Sequence, residues 1–192
     1  MSDTAVKTAV VYHSGYGHTQ RMAEAIAKGA NAALLPIDAE GNLSDEQWAT
    51  LHAADAIVFG SPTYMGGPSW QFKKFADASS GAWFEGKWQD KVFGGFTNSA
   101  SLNGDKLNTL NYFVLLAGQH GGLWVSLALK PANTKAAVRD DINRMGSYLA
   151  PMAQSDADAA PEEMSEGDLE TARLYGARIA QTARRFDAER RS

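Results

Sequence analysis

At 192 residues with 44% hydrophobic content, the chain is long enough to bury a sizeable core, and one domain over residues 1–192 is expected. Eighteen Lys and Arg against 22 Asp and Glu leave a net charge of -4, which lacks the basic field that nucleic acid requires, so no nucleic-acid partner is expected. Zero cysteines exclude disulfides, thiolate metal sites and cysteine nucleophiles. The start "MSDTAVKTAVVYHSG" has no basic region leading into a long apolar core, and no apolar run reaches the roughly 18 residues of a bilayer span, so a cytoplasmic protein without a membrane span is expected.

The first element in the chain is the apolar run at 5–13, which predicts a strand. It is followed by "TQRMAEAIAKGANA", which sets Met22, Ala25, Ile26 and Gly29 on one helical face with Thr19 as its cap. "AALLPI" (32–37) predicts a second strand. In "LSDEQWATLHA" Ser44 and Gln47 form a capping box, with Leu43 and Trp48 at the staple positions either side. "DAIVFG" (55–60) predicts a third strand, and "GPSWQFKKFADAS" a helix with Pro68 near its first turn. "KVFGGFT" (91–97) reads as the fourth strand, "NGDKLNTLNYFVLLAG" as a helix with Leu107, Leu110 and Val114 in register, and "GGLWVSLAL" (121–129) as the fifth strand. Residues 130–164, with three prolines and an acidic, alanine-rich tract, break the alternation and read as an excursion. From about 165 to 185 a last helix carries Leu169, Ala172, Gly176, Ile179 and Ala183 on one face and arginines on the other.

Strands alternating with helices indicate an α/β sheet built from βαβ units, and right-handed crossovers make its strands parallel. The loops after strands one, three and four, "SGYGHT" (14–19), "SPTYMGGP" (61–68) and "TNSASLNG" (97–104), then meet on one edge, where such sheets bind ligands. The first loop lacks the Gly-Lys-Ser/Thr of a Walker motif and the third glycine of a dinucleotide fingerprint. What it offers is hydroxyls on Ser14 and Thr19 and free N–H groups at a helix start, whose dipole substitutes for a cation; a phosphomonoester fits best. No His/carboxylate group has metal-ligand spacing, so no metal is expected, and no Gly-x-Ser-x-Gly elbow supports a catalytic triad. His13 and His52 read as satisfied polar side chains, Trp48 and Trp124 as core, and Lys73, Lys74, Arg184, Arg185, Arg190 and Arg191 as solvated helix faces.

"SGYGHT", "GSPTYMGG", "SSGAWF" and "DLETARLYG" together resemble the flavodoxin-like, FMN-dependent NAD(P)H:quinone oxidoreductases typified by the WrbA (tryptophan-repressor-binding) proteins. The resemblance covers most of the chain. It implies a flavodoxin-like, doubly wound five-stranded parallel sheet of order 2-1-3-4-5 with helices on both faces. It also implies FMN as cofactor, NADH or NADPH as donor, a quinone or similar small acceptor, and a homodimer or homotetramer. On this resemblance Ser14, Gly15, Tyr16, Gly17, His18 and Thr19 match the phosphate loop, with Tyr16 also near the nicotinamide. Pro62, Thr63, Tyr64, Met65 and Gly66 match one flavin loop, and Thr97, Asn98, Ser99, Ala100, Ser101, Leu102 and Asn103 the other. Trp83 matches an aromatic on the substrate side, supplied in that family by a neighbouring subunit. Either His120 or Gln119 aligns with a histidine near the ring; no catalytic side chain is implied, because the flavin carries the chemistry. Three departures stand out: Ala100, Leu102 and Asn103 replace glycines, the long insertion after strand two is missing, and Tyr64 and Met65 replace the expected neighbours of the flavin. The rival expectation is a flavodoxin-type carrier of single electrons between redox proteins.

Overall fold

The computed structural model describes residues 6–190, with side chains to residue 186. In chain order it contains β1 (Thr8–Tyr12), α1 (His18–Ala30), β2 (Ala33–Pro36), α2 (Asp45–Ala53), β3 (Ala56–Tyr64), β4 (Gly67–Pro68), α3 (Trp70–Ala78), α4 (Ser80–Phe84), β5 (Val92–Ser99), α5 (Lys106–Gln119), β6 (Leu123–Trp124), β7 (Met152–Gln154) and α6 (Glu166–Arg190). Ala5 of the expected first strand, the side chain of Arg190, and Arg191 lie outside the described residues.

The main sheet runs β2-β1-β3-β5-β6 with every pairing parallel. That is the expected order of five strands once the two-residue hairpin strand β4, which pairs antiparallel with the end of β3, is counted separately. Strands β1, β3 and β5 occupy the middle and are buried along nearly their whole length, which is why their sequences read as continuous apolar runs. Phe59, Phe72, Phe93 and Phe113 form an aromatic centre between the sheet and α3 and α5, with Phe72 and Phe113 ring centroids 4.7 Å apart.

On the other face α1 packs against α6. Two glycines set that approach: a Cβ on Gly29 would collide with the carbonyl of Arg173, and one on Gly176 with the carbonyl of Ile26. The predicted face of α6 is buried as expected, and Arg184 and Arg185 stand exposed. The Ser44–Gln47 capping box forms, Trp88 is fully buried, and Trp48 and Trp124 pack against the core.

Several local expectations are corrected. Thr19 does not cap α1: Gly17 is the N-cap residue, in the left-handed region at φ 90°, and Ser14 Oγ accepts from the Gly17 and Gln20 N–H groups instead. Pro68 lies in β4, before the helix, and Ser69 caps α3. Leu107 is exposed, because α5 buries Lys106, Thr109, Leu110, Phe113, Leu116 and Ala117 instead. The fifth long strand shrinks to Leu123–Trp124, since the freed edge of β5 beyond it, Thr97–Ser99, is taken by β7 from the excursion. His52 accepts from the Trp88 indole at 3.1 Å, whereas His13 is buried with its Nδ1 unpartnered, so only the first of the two is satisfied.

Candidate functional site

The three loops converge as parallel topology requires, around a cavity of about 450 Å³ at the C-terminal edge of the sheet. Of the residues singled out in the sequence, Gly15, Tyr16, His18, Thr19, Pro62, Thr63, Tyr64, Met65, Gly66, Asn98, Ser99, Ala100 and Ser101 line it. Ser14, Gly17, Thr97, Leu102 and Asn103 are not among its lining residues.

The first wall is the turn into α1. Ser14 Oγ holds the Gly17 and Gln20 N–H groups at 3.1 and 3.2 Å, which leaves the His18 and Thr19 N–H groups without a partner among the described residues. Free N–H groups at a helix start, with no cation among the lining residues, suit a dianion held by dipole and hydrogen bonds. Gly17 is required twice over, by its positive φ and because a Cβ there would stand 2.6 Å from Pro161 Cγ.

The second wall follows β3. Thr63 Oγ1 lies 2.8 Å from both Thr97 Oγ1 and Thr109 Oγ1, a buried hydroxyl group of three that locks the floor of the pocket to β5 and α5. Met65 (φ 47°) and Gly66 (φ 79°) turn the chain sharply, Asn108 Nδ2 donates to the Gly66 carbonyl at 2.6 Å, and the Met65 side chain projects fully into solvent. Tyr16 and Tyr64 meet edge to face at 6.5 Å across the mouth, where partial burial raises the Tyr64 phenol above its ordinary range.

The third wall, 98–104, rests on a buried cation. Lys106 is fully buried, and its Nζ donates to the carbonyls of Ser101, Leu102 and Asn103 at 2.6, 3.0 and 3.4 Å. Desolvation brings its ammonium down to about 8, with the Asp168 carboxylate pulling upward and the Arg139 guanidinium downward.

A fourth wall was not foreseen. Ser155, Asp156 and Ala157, from the excursion, also line the cavity. Asn98 and Ser155 exchange hydrogen bonds at 2.9 and 3.1 Å, Gln154 Nε2 donates to the Ala100 carbonyl, and His18 Nε2 meets the Ala159 carbonyl at 2.9 Å. This strap is anchored by Asp168, 2% exposed, which accepts from both terminal nitrogens of Arg139 and from the Gln154 N–H. Its only advance signal was the serine and aspartate in "QSDAD", too ordinary a pattern to separate from a surface loop.

Two expected residues are not brought to this cavity. His120 follows the last turn of α5, 14 residues beyond the pocket end at Lys106, a rise of about 20 Å. There it is buried, with Nε2 2.9 Å from Ser79 Oγ and its ring 4.4 Å from Trp88, and burial lowers its pKa to about 4. Gln119 is exposed beside it. Trp83, on α4, is half-exposed and also outside the cavity lining. No group of three or more His, Cys, Asp or Glu able to hold a metal occurs among the described residues, and no helix there is long and apolar enough to cross a membrane.

Residues 10–122 match the flavodoxin family model. Flavodoxin FldP of Pseudomonas aeruginosa is 56% identical over 95% of this chain and 99% of its own length. An NAD(P)H dehydrogenase (quinone) of Geobacter sulfurreducens is 30% identical over 93% of this chain and 98% of its own. Among solved structures, a flavodoxin, WrbA-like protein from Agrobacterium tumefaciens superposes with a TM-score of 0.79 at 69% identity, covering 94% of this chain and 98% of that one. With its parallel sheet, its cation-free loop at the start of α1 and these relatives, the chain belongs to the flavodoxin family.

Proposed function

We propose that one domain, comprising the whole chain, binds FMN and acts as an NAD(P)H:quinone oxidoreductase. The observation that carries this reading is the division of the cavity into a donor-rich end and an open end. At the first, the free His18 and Thr19 N–H groups and the Thr19 hydroxyl would hold the phosphate against the α1 dipole. At the other, Tyr64, Met65 and Gly66 would border the ring on one side and Asn98 to Ser101 with Gly104 on the other. A Cβ added at Gly66 or Gly67 would meet nothing within 4 Å, so a planar guest has room beside the ring. FMN, if bound, would supply the redox chemistry: it would take a hydride from NAD(P)H, leaving NAD(P)+, and would pass both electrons to a quinone, which would become the hydroquinone with the hydride's proton and one more from solvent. The chain's own residues bind, orient and shield. Gly15 lets Tyr64 lie close, since a Cβ there would stand 2.6 Å from the phenolic oxygen, and Tyr16, 77% exposed, is free to pack on a nicotinamide.

The exposed Trp83 and Phe84 on α4 support assembly as a homodimer or homotetramer in which a neighbour's Trp83 roofs the open end. A carrier of single electrons is the second reading, favoured by the 56% identity to Flavodoxin FldP. Anaerobic addition of NADH or NADPH to the FMN-loaded protein, with sedimentation of the same sample, tests the assignment. Bleaching of the bound flavin at a rate that supports turnover with a quinone is expected. Failure to bleach, with rapid bleaching by a reductase protein, would replace the enzyme with the carrier.

A further inference from the structure

A second groove, about 610 Å³, begins where the flavin cavity ends: Tyr64 and Met65 line both. From this shared border it runs along α3 past Trp70 to Lys73, Lys74 and Asp77. Helical spacing puts Trp70, Lys73, Lys74 and Asp77 on one face, with a rise of about 6 Å from Trp70 to Lys74.

The chemistry of this groove is specific. Trp70 is 60% exposed at the start of its helix, although a buried aromatic core lies directly beneath on Phe72 and Phe75, so its indole is not needed for packing. Lys73 is paired with Asp77 at 2.6 Å, while Lys74 donates to the Glu40 carbonyl at 2.7 Å, which fixes its ammonium in place, and its charge acts on the Asp38 carboxylate at some distance, without a direct ion pair. A flat platform followed by two lysine ammoniums against one lining carboxylate, reached directly from the flavin mouth, fits an aromatic base joined to phosphates.

We infer that this groove receives the adenosine diphosphate end of the nicotinamide donor, with the base stacked on Trp70 and a phosphate near Lys74, while the nicotinamide reaches the flavin cavity past Tyr64 and Met65. The inference deepens the proposed reductase function and rests on it for the identity of the donor.

The test uses FMN-loaded protein, wild type and the variants Trp70→Ala, Trp70→Phe and Lys74→Ala. Two donors are compared in anaerobic flavin bleaching: NAD(P)H, and reduced nicotinamide mononucleotide, which lacks the adenosine end. Calorimetric titration with ADP-ribose reads the groove without any redox step. Loss of a stacked base is expected to weaken ADP-ribose binding and NAD(P)H half-saturation about tenfold in Trp70→Ala, with recovery in Trp70→Phe. Lys74→Ala should weaken both as well, and the mononucleotide should respond to none of the variants. If ADP-ribose does not bind, or if both donors respond alike, the subsite is refuted while the reductase reading stands. If ADP-ribose binds through Trp70 but neither donor bleaches the flavin, the reductase reading fails and the nucleotide groove survives it.

Discussion

Replacing Lys106 with methionine removes the one buried cation that holds the 101–103 carbonyls, and its consequence for stability depends on pH in a direction the structure fixes. In the unfolded chain a lysine titrates near its ordinary value of 10.5, whereas in the fold desolvation brings it down to about 8. Between those values the unfolded chain binds the extra proton, so folding stability rises with pH there. The contribution is complete above the unfolded value and is lost as pH falls through about 8. Integrated from about pH 7.5 to about pH 9.5, the wild type gains roughly 2 kcal/mol from this site, and Lys106→Met gains none of it. The assay is urea denaturation of both proteins at the two pH values, read as the difference of differences, so that titrations common to both cancel. Flavin affinity measured in parallel reports the loop, because an amine has two donors where the ammonium has three and one carbonyl must lose its partner. Superimposable pH dependences for wild type and variant would show that Lys106 titrates normally and that its burial has been misread.

Two further substitutions test the backbone of the site and its support. Gly17→Ala places a Cβ against Pro161 at a φ of 90° and should raise the FMN dissociation constant at least about tenfold, with a smaller effect on riboflavin, measured by flavin fluorescence; equal losses for the two ligands would argue against phosphate anchoring at this turn. Gly176→Val forces α6 off the Ile26 carbonyl and should cost more than about 2 kcal/mol in urea denaturation, whereas Gly118→Ala, where an added Cβ meets nothing within 4 Å, should gain about 0.5 to 1 kcal/mol.

The central strands and the edge on which their loops meet were legible because they follow from local patterns. Continuous apolar runs mark strands buried on both faces, and helices between them force the parallel order. The turn into α1 was legible as a polar loop on the ligand-binding edge, but its internal hydrogen bonds were not. The hydroxyl of Ser14 and the freedom of Gly17 were visible, but the sequence did not reveal that Ser14 would serve the turn itself, leaving the His18 and Thr19 N–H groups for a ligand. Leu107 misled because helical phase was read from apolar spacing, and the buried lysine at position 106 rotates the inward face of α5 away from it; His120 came from the family resemblance alone, and α5 carries it a helix length away from the cavity.

The excursion resisted reading because its structure is made of long-range contacts rather than a period. Nothing within 130–164 announces that Arg139 will reach Asp168, 29 residues on, or that Gln154 will bond the same carboxylate. Yet those contacts place Ser155 against Asn98 and Ala159 against His18, so the strap joins the 98–104 wall of the cavity to the turn into α1. It follows that the first and third loops are not independent. A change that loosens the Arg139–Asp168 pair acts on the His18 ring and on the Asn98 amide together, through one segment, although it touches neither loop. The buried ammonium of Lys106 senses the same carboxylate. Asp168, on the last helix and outside the cavity lining, is therefore the residue through which the strap and the 98–104 loop are held in register.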